Sequence, residues 1–373
     1  MIVYKSKSDP SLPMSSDPFD IANACINGRF NPNHPNISKV YTNTNLDLGP
    51  EHWRFRSWNP QFGDISRYTL CEWVGDGRYS DVFFAFQDGT KQCAIKLLKP
   101  VNTDRVRREL KILSEVQGQE NVLKLWDIII DGKEGIPGMV TEAVPNVPWR
   151  TLFSSMSLDD SKFYIYRVLQ ALSHTHSRGI MHRDVKPLNI LCSNPREIVR
   201  LADWGLAEFY HPMRKYSVHV ATRYYKSPEI LLDYEYYDYS LDIWSVGVML
   251  LELLTQKLHV FDGGDNEHQI DSIVEVIGGK PIIEWANKYR VKLNRANRDR
   301  FATMPTVPFA NLIPYNRKRF RDPDALDLVQ KMLTVDHKER ITAEDALKHP
   351  FFQTVRDFDA GVAHQQPQEQ MNE

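Results

Sequence analysis

The chain has 373 residues, 42% of them hydrophobic and 25% charged, with 46 basic against 48 acidic side chains. That is enough apolar material for two core-bearing units, and the formal charge of −2 excludes a global basic field that would draw the protein to nucleic acid or an anionic surface. Four cysteines, Cys25, Cys71, Cys93 and Cys192, lie far apart with no CxxC pair, which argues against a zinc site or disulfide framework and for reduced thiols.

Residues 1–36 are rich in Ser, Pro, Asn and Asp without apolar periodicity and predict a disordered N-terminal arm. No apolar run follows the first lysines, and the most apolar stretch, 243–254, is too short to span a bilayer, so a cytoplasmic and nuclear protein is expected. From residue 68 to 144 the pattern is strand-like: YTLCEWV, DVFFAF, QCAIKLL and GMVTEAV are separated by Gly and Asp turns. One helix interrupts them, capped by Thr103 or Asp104, with Val106, Leu110 and Leu113 at helical spacing and Gly118 as its stop. Beyond residue 145 helices dominate. Phe163, Tyr166, Leu169 and Leu172 form a stripe ending at Gly179, and 243–254 is apolar nearly all round, a buried helix. The change of texture predicts two lobes of an α+β protein, 68–144 and 145–353, and a flexible tail over 354–373.

The residues with chemistry follow in the same order. Gly75-Asp76-Gly77-Arg78-Tyr79-Ser80-Asp81-Val82 lies between strand runs, a hairpin whose glycines let backbone N–H groups approach phosphate oxygens; alone it is a weak signal, equally a plain turn. Lys96 sits in an apolar strand where an unpaired ammonium is costly, and Glu109 on the following helix is its expected partner. The strongest segment is His182-Arg183-Asp184-Val185-Lys186-Pro187-Leu188-Asn189, followed by Asp203-Trp204-Gly205. Asp184 is expected to accept or orient the proton of an attacking hydroxyl, and Lys186 to neutralise charge on a transferring phosphoryl group. Asn189 and Asp203 offer hard oxygen ligands for Mg²⁺. Glu229, beside apolar Ile230 to Leu232, needs a cation, for which Arg340 is the candidate; Asp242 is expected to bond the backbone of the 182–189 loop, and Thr342 to cap the last helix of the large lobe.

With these motifs in order over residues 68 to 353, the chain resembles eukaryotic protein kinases, and more closely the catalytic subunits of casein kinase 2. The marks of the closer likeness are the Gly-x-Gly-x-Tyr-Ser loop, GIMHRDVKP, Trp204 in place of the usual Phe, GLAEFYHP at 205–212 and YDYSLDIWS at 237–245, with VYTNTN at 40–45 upstream. The resemblance implies a bilobal fold with a small antiparallel-sheet lobe and a larger, mostly helical one. It implies transfer of the γ-phosphate of ATP, and of GTP, to Ser or Thr in acidic protein substrates, with Mg²⁺ as cofactor. It implies that residues 37–67 pack on the kinase core and hold the activation segment active without phosphorylation. A regulatory beta subunit dimer completing a heterotetramer is a further implication; neither a membrane nor a direct nucleic-acid partner is expected.

The resemblance also assigns roles. Nucleotide contacts fall to Val74 and the glycine hairpin through Val82, and to Ala94, Lys96, Thr141, Glu142, Val144, Leu191 and Ala202. Substrate contacts fall to Arg108, Lys111, Arg183, His219, Arg223 and Lys226. Partner docking falls to Leu70, Phe83, Ile95, Leu97, Ile129 and Val140, which ordinary strand-core packing also explains. Several positions depart from the family. Asn102-Thr103-Asp104-Arg105 replaces a run of lysines, and His219 replaces the first of three basic residues that read the position after the phosphoacceptor, so acid preference should persist but weaken. Ala94, Thr141 and Ala202 stand where Val, Phe and Ile are usual, which predicts a roomier nucleotide pocket. Two competing readings are a proline-directed kinase, because Val220-Ala221-Thr222-Arg223-Tyr224-Tyr225 is similar to that group's activation segment, and a pseudokinase scaffold. Lys226 and the lack of a Thr-x-Tyr site count against the first, and retention of Lys96, Asp184, Asn189 and Asp203 against the second.

Overall fold

The computed structural model describes residues 24–26, 28–77, 80–99, 103–132 and 135–365. A short pair of strands, β1 (Cys25–Ile26) and β2 (Arg29–Phe30), and two short helices, α1 (Thr44–Leu48) and α2 (Pro50–Trp53), precede the small lobe. That lobe is one antiparallel sheet of β3 (Tyr68–Gly77), β4 (Ser80–Gln87), β5 (Lys91–Leu98), β6 (Leu125–Ile130) and β7 (Pro137–Glu142), in the order β3-β4-β5-β7-β6. Strand periodicity sorts its side chains. Lys96 pairs with Val82 and Met139, and Ala94 with Phe84 and Thr141, on one face; Ile95 pairs with Phe83 and Val140 on the other. The helix α3 (Thr103–Glu115) joins β5 to β6, and Gly118 behind it has φ +99°, a left-handed conformation that favours glycine at a helix stop.

The large lobe begins with α4 (Trp149–Ser155) and α5 (Leu158–Ser177). Ser157 starts α5 with a capping box: its hydroxyl accepts from Asp160 N while the Asp160 carboxylate accepts from Ser157 N. The stripe read from the sequence is its buried face, with Phe163 3%, Tyr166 8%, and Leu169 and Leu172 0% exposed. Short strands follow: β8 (Ile180–Met181), β9 (Ile190–Asn194), β10 (Ile198–Leu201) and β11 (Glu208–Phe209), pairing β8 with β11 and β9 with β10. After α6 (Pro228–Leu231) comes α7 (Ser240–Thr255), in which every residue is buried, so it is the axis of the lobe rather than one of its walls. Helices α8 (Asn266–Ile277), α9 (Gly279–Lys288), α10 (Arg295–Phe301), α11 (Pro323–Met332), α12 (Ala343–Leu347) and α13 (Gln353–Gln365) complete it. Thr342 caps α12 by accepting from Asp345 N, as expected. The Glu229–Arg340 pair is a bidentate bridge at 2.7 and 3.0 Å with both side chains fully buried, and the remaining guanidinium protons go to the carbonyls of Thr334, Val335 and Ser240.

Two boundaries differ from expectation. Residues 1–23 and Asn27 lie outside the described residues, but 28–36, read as part of a disordered arm, are packed on the large lobe, with His34 only 3% exposed. What holds them is polar rather than apolar. The Lys338 ammonium donates to the carbonyls of Pro32, His34 and Ile37, and Tyr234 Oη donates to Asn36 Oδ1 at 2.9 Å, contacts that leave no hydrophobic period. The tail predicted from residue 354 is helical to Gln365: Val355 is fully buried, Phe358 meets Phe163 edge-on at 5.1 Å, and Asp359 takes two bonds from Arg167. Three anchors spaced along 13 residues escape a reading based on composition.

Candidate active site

The ammonium of Lys96 lies between two carboxylates, 2.7 Å from Glu109 Oε1 and 2.9 Å from Asp203 Oδ1. Burial alone would push this lysine down, but the two anions outweigh it and hold its pKa above the ordinary value. For Asp203 burial works toward protonation, and the adjacent Lys96 overrides it, so the carboxyl is held below its usual range. The pair of helix and strand that positions Lys96 and Glu109 therefore meets the residue that follows β10 across the cleft, and Asp203 does so with φ +57°, a strained setting for a non-glycine.

Asp184 is held from four sides. Lys186 Nζ donates to Oδ2 at 2.8 Å and Asn189 Nδ2 at 3.1 Å; Thr222 gives Oδ1 both its backbone N–H and its hydroxyl, each at 2.9 Å. Lys186 also donates to Thr222 Oγ1 at 2.8 Å. Under this loop, buried Asp242 accepts from the N–H groups of His182 (2.9 Å) and Arg183 (2.8 Å), with His176 Nε2 at 3.0 Å. Burial would raise the Asp242 pKa, yet these donors hold it below the ordinary value, so it is a charged post for a loop whose Arg183 has φ +66°. Because Asn189 spends its amide nitrogen on Asp184, the group it can give a cation is its carbonyl oxygen, and with half-exposed Asp203 this makes two hard oxygen donors that fit Mg²⁺ bound chiefly through nucleotide phosphates. Among the described residues no cluster of three or more His, Cys, Asp or Glu would hold a metal by itself.

The residues assigned to the nucleotide are distributed as follows. Val82, Ala94, Lys96 and Thr141 share the inner sheet face; Gly75 and Ser80 lie on the hairpin, Asp81 pairs with Lys99 at 3.0 Å, and Val74 is 63% exposed. Asp76 and Gly77 are described in backbone only, and Arg78 and Tyr79 lie outside the described residues. Glu142 commits its carboxylate to Arg200 (2.8 Å) and Lys124 N (2.9 Å) and its N–H to Lys124 O, while its carbonyl accepts from Thr141 Oγ1 at 3.3 Å. Val144 and Leu191 are half-buried, and Ala202, 7% exposed, bonds Asn189 O through its N–H.

Of the residues assigned to substrate, Arg223 and Lys226 line one open hollow with Ala221, Asp265, Asn266 and Glu267, and His219 is exposed nearby in sequence. The other three are engaged in ion pairs and hydrogen bonds within the chain. Arg108 bonds Glu208 at 2.9 Å; Arg183, 5% exposed, donates to Leu206 O and Tyr237 Oη with Glu208 at 3.8 Å; Lys111, also 5% exposed, pairs with Glu115 and lies over the Trp58 ring. Arg214 joins the first two at 3.7 Å, so Glu208 gathers three arginines from α3, the 182–189 loop and the segment after β11. The partner-docking set divides too. Ile95, Ile129 and Val140 are at most 2% exposed in a cluster with Ala85 and Cys93, against which half-buried Leu97 packs; Phe83 is also half-buried, whereas Leu70 is 49% exposed. Burial on the outer sheet face takes those three out of any docking surface.

Glu208 and Glu252 are residues that the sequence did not single out, and Thr222 was named only within the activation-segment stretch 220–225. Glu252 on α7 accepts from Tyr225 Oη at 3.1 Å and His259 N at 2.7 Å; the signal that could have found it is a lone carboxylate within a stretch that reads as a buried helix. The upstream segment reaches the same region. Ser38 N bonds Tyr210 Oη, Asn45 Nδ2 donates to the carbonyls of Gly179 (2.8 Å) and Tyr210 (2.7 Å), and Trp53 meets His211 edge-on at 4.8 Å. A hairpin over a lysine–glutamate pair, a loop aspartate bonded to lysine and asparagine, and a second aspartate facing them form one phosphoryl-transfer arrangement. Residues 68–352 match the family model for the protein kinase domain, and the chain belongs to that family.

Proposed function

We propose that the chain is a Ser/Thr protein kinase of the casein kinase 2 type, phosphorylating acidic contexts and active without phosphorylation of its own activation segment. A protein kinase domain takes ATP as its phosphate donor, usually with Mg²⁺. Asn189 and Asp203 would hold the metal, which would supply positive charge against the donor's phosphates. The observation that carries the reading is the Thr222 hydroxyl, which donates to Asp184 and accepts from Lys186. An aliphatic hydroxyl of a substrate needs the same two contacts: one to take or orient its proton, the other to offset charge as the phosphoryl group arrives. Lys96, fixed by Glu109, supplies a preformed cation for the donor's phosphates.

Two further observations support the finer parts. Arg223 and Lys226 line an open hollow, Arg223 bonded to Gly264 O and Lys226 to Asn266 Oδ1, and Asp265 and Glu267 share it, which fits a moderate rather than a strong acid preference. Ser38, Asn45 and Trp53 bond or pack on Tyr210 and His211, and Val40 and Tyr41 pack on a cluster containing Tyr216, Val220 and Tyr237, so the upstream segment braces the activation segment. The test is a positional-scanning peptide library with ATP or GTP as donor. Transfer to Ser or Thr with enrichment of Asp and Glu after the acceptor is expected; transfer directed by proline at that position would favour a proline-directed kinase instead, and no transfer would overturn the reading.

A further inference from the structure

The chain from 221 to 226 separates two depressions beside Asp184. Ala221, Arg223 and Lys226 line the hollow shared with Asp265 and Glu267, while Thr222, Tyr224 and Tyr225 line a second, open groove of about 550 Å³. The walls of that groove include Pro148, Trp149, Pro187, Leu188, Tyr224 and Leu258. Leu188 is 75% exposed, on the same one-turn 3₁₀ helix, Pro187–Asn189, that delivers Asn189 to Asp184. A lone exposed leucine needs no explanation; one that continues a wall of proline and aromatic rings is part of a patch. The walls are already formed, since Trp149 stacks on Tyr164 at 5.6 Å and Tyr224 on His259 at 3.8 Å.

Lys186 and Thr222, which both bond Asp184, also line this groove, so it is continuous with the point of transfer. A peptide whose hydroxyl took the place of Thr222 Oγ1 at Asp184 would pass the residues that line its mouth. We propose that the groove is a specificity subsite of the substrate peptide, taking an aromatic or long aliphatic side chain on the side of the acceptor opposite to the one that Arg223 and Lys226 read. The inference rests on the reading of the chain as a Ser/Thr kinase.

The test measures kcat/KM for acceptor peptides with Phe, Leu, Ala or Asp at each flanking position, in wild type and in Leu188→Glu and Trp149→Ala. Leu188 is exposed, so its substitution removes no core contact, and the quantity read is the ratio between peptides. Phe or Leu should exceed Ala roughly tenfold at one position on the side away from the acid preference, as a single apolar pocket allows. Both variants should bring that ratio close to unity while the acid preference persists. A wild type that phosphorylates all the peptides alike at those positions overturns the subsite and leaves the kinase reading standing. So does a preference that survives Leu188→Glu, or one on the same side as the acid preference. Failure to phosphorylate any peptide overturns the kinase reading itself, and the subsite with it.

Discussion

Replacing Glu252 by Gln should remove a pH-dependent weakness from the large lobe. Glu252 is fully buried in α7, and its nearest cation candidate, His259 Nδ1, is 3.9 Å away. Burial pushes its carboxyl from 4.5 up to about 7, and the donors Tyr225 Oη and His259 N–H offset only part of that. Native protein therefore binds this proton more tightly than unfolded protein does. The corresponding stability is complete below pH 4.5 and is lost as pH rises through about 7. A shift of that size is worth about 3 kcal/mol at 1.36 kcal/mol per pKa unit. Glutamine keeps an acceptor for His259 N–H and can donate to Tyr225 Oη, so the variant retains the contacts without the charge. Unfolding by guanidinium across pH 5 to 8 should show the variant gaining on wild type as pH rises, by up to about 3 kcal/mol at pH 8, with the two close together at pH 5. Parallel profiles across that range would refute the argument, because they would mean that Glu252 is ionised at little cost.

Asp184→Asn and Lys96→Met should each lower turnover by roughly 10²-fold or more, with circular dichroism unchanged, since both act on charge development rather than packing. Arg340→Met should cost about 3–5 kcal/mol by leaving buried Glu229 without its cation, and Glu229→Leu added to it should recover much of the loss in a thermal melt. Asn45→Ala removes a donor from the Tyr210 carbonyl, at about 1–3 kcal/mol, and a second donor from the Gly179 carbonyl, which keeps Tyr210 N–H; it should reduce kcat, whereas phosphatase treatment should not. His211, pushed down to about 4 by burial and by Arg214, is held neutral against Trp53; its stabilising contribution is present above pH 6.5 and lost as pH falls toward 4, so activity should decay on acidification and a Trp53→Ala variant should show less of that decay.

The catalytic arrangement was legible because its residues are contiguous in sequence or fall on regular elements. Lys96 and Glu109 follow from a strand and a helix with clear periods, and Asp184, Asn189 and Asp203 from one loop and the turn after a strand. Arg108, Lys111 and Arg183 show the limit of that reading. A basic side chain reads as a contact for an acidic ligand until Glu208 and Glu115, a hundred residues away or one helical turn on, are seen to hold it. The resemblance assigned Ile95 and Val140 to partner docking, but exposure depends on what covers their face of the sheet, which no local pattern contains. The ordered stretch before residue 37 was missed for a related reason: carbonyls gathered by Lys338 carry no side-chain signature.

Glu208 has a consequence for control. In a kinase switched by phosphorylation, a phosphate arrives to tie together arginines from the helix, the loop and the activation segment. Here Arg108, Arg183 and Arg214 already converge on a carboxylate encoded in the chain. On the proposed reading of an enzyme active without phosphorylation, the charge that an upstream enzyme would add and a phosphatase would remove is encoded in the chain at that junction. A cell that needs to adjust such an enzyme has to change how much of it is made, where it is held, or which acceptor peptides are brought within its reach.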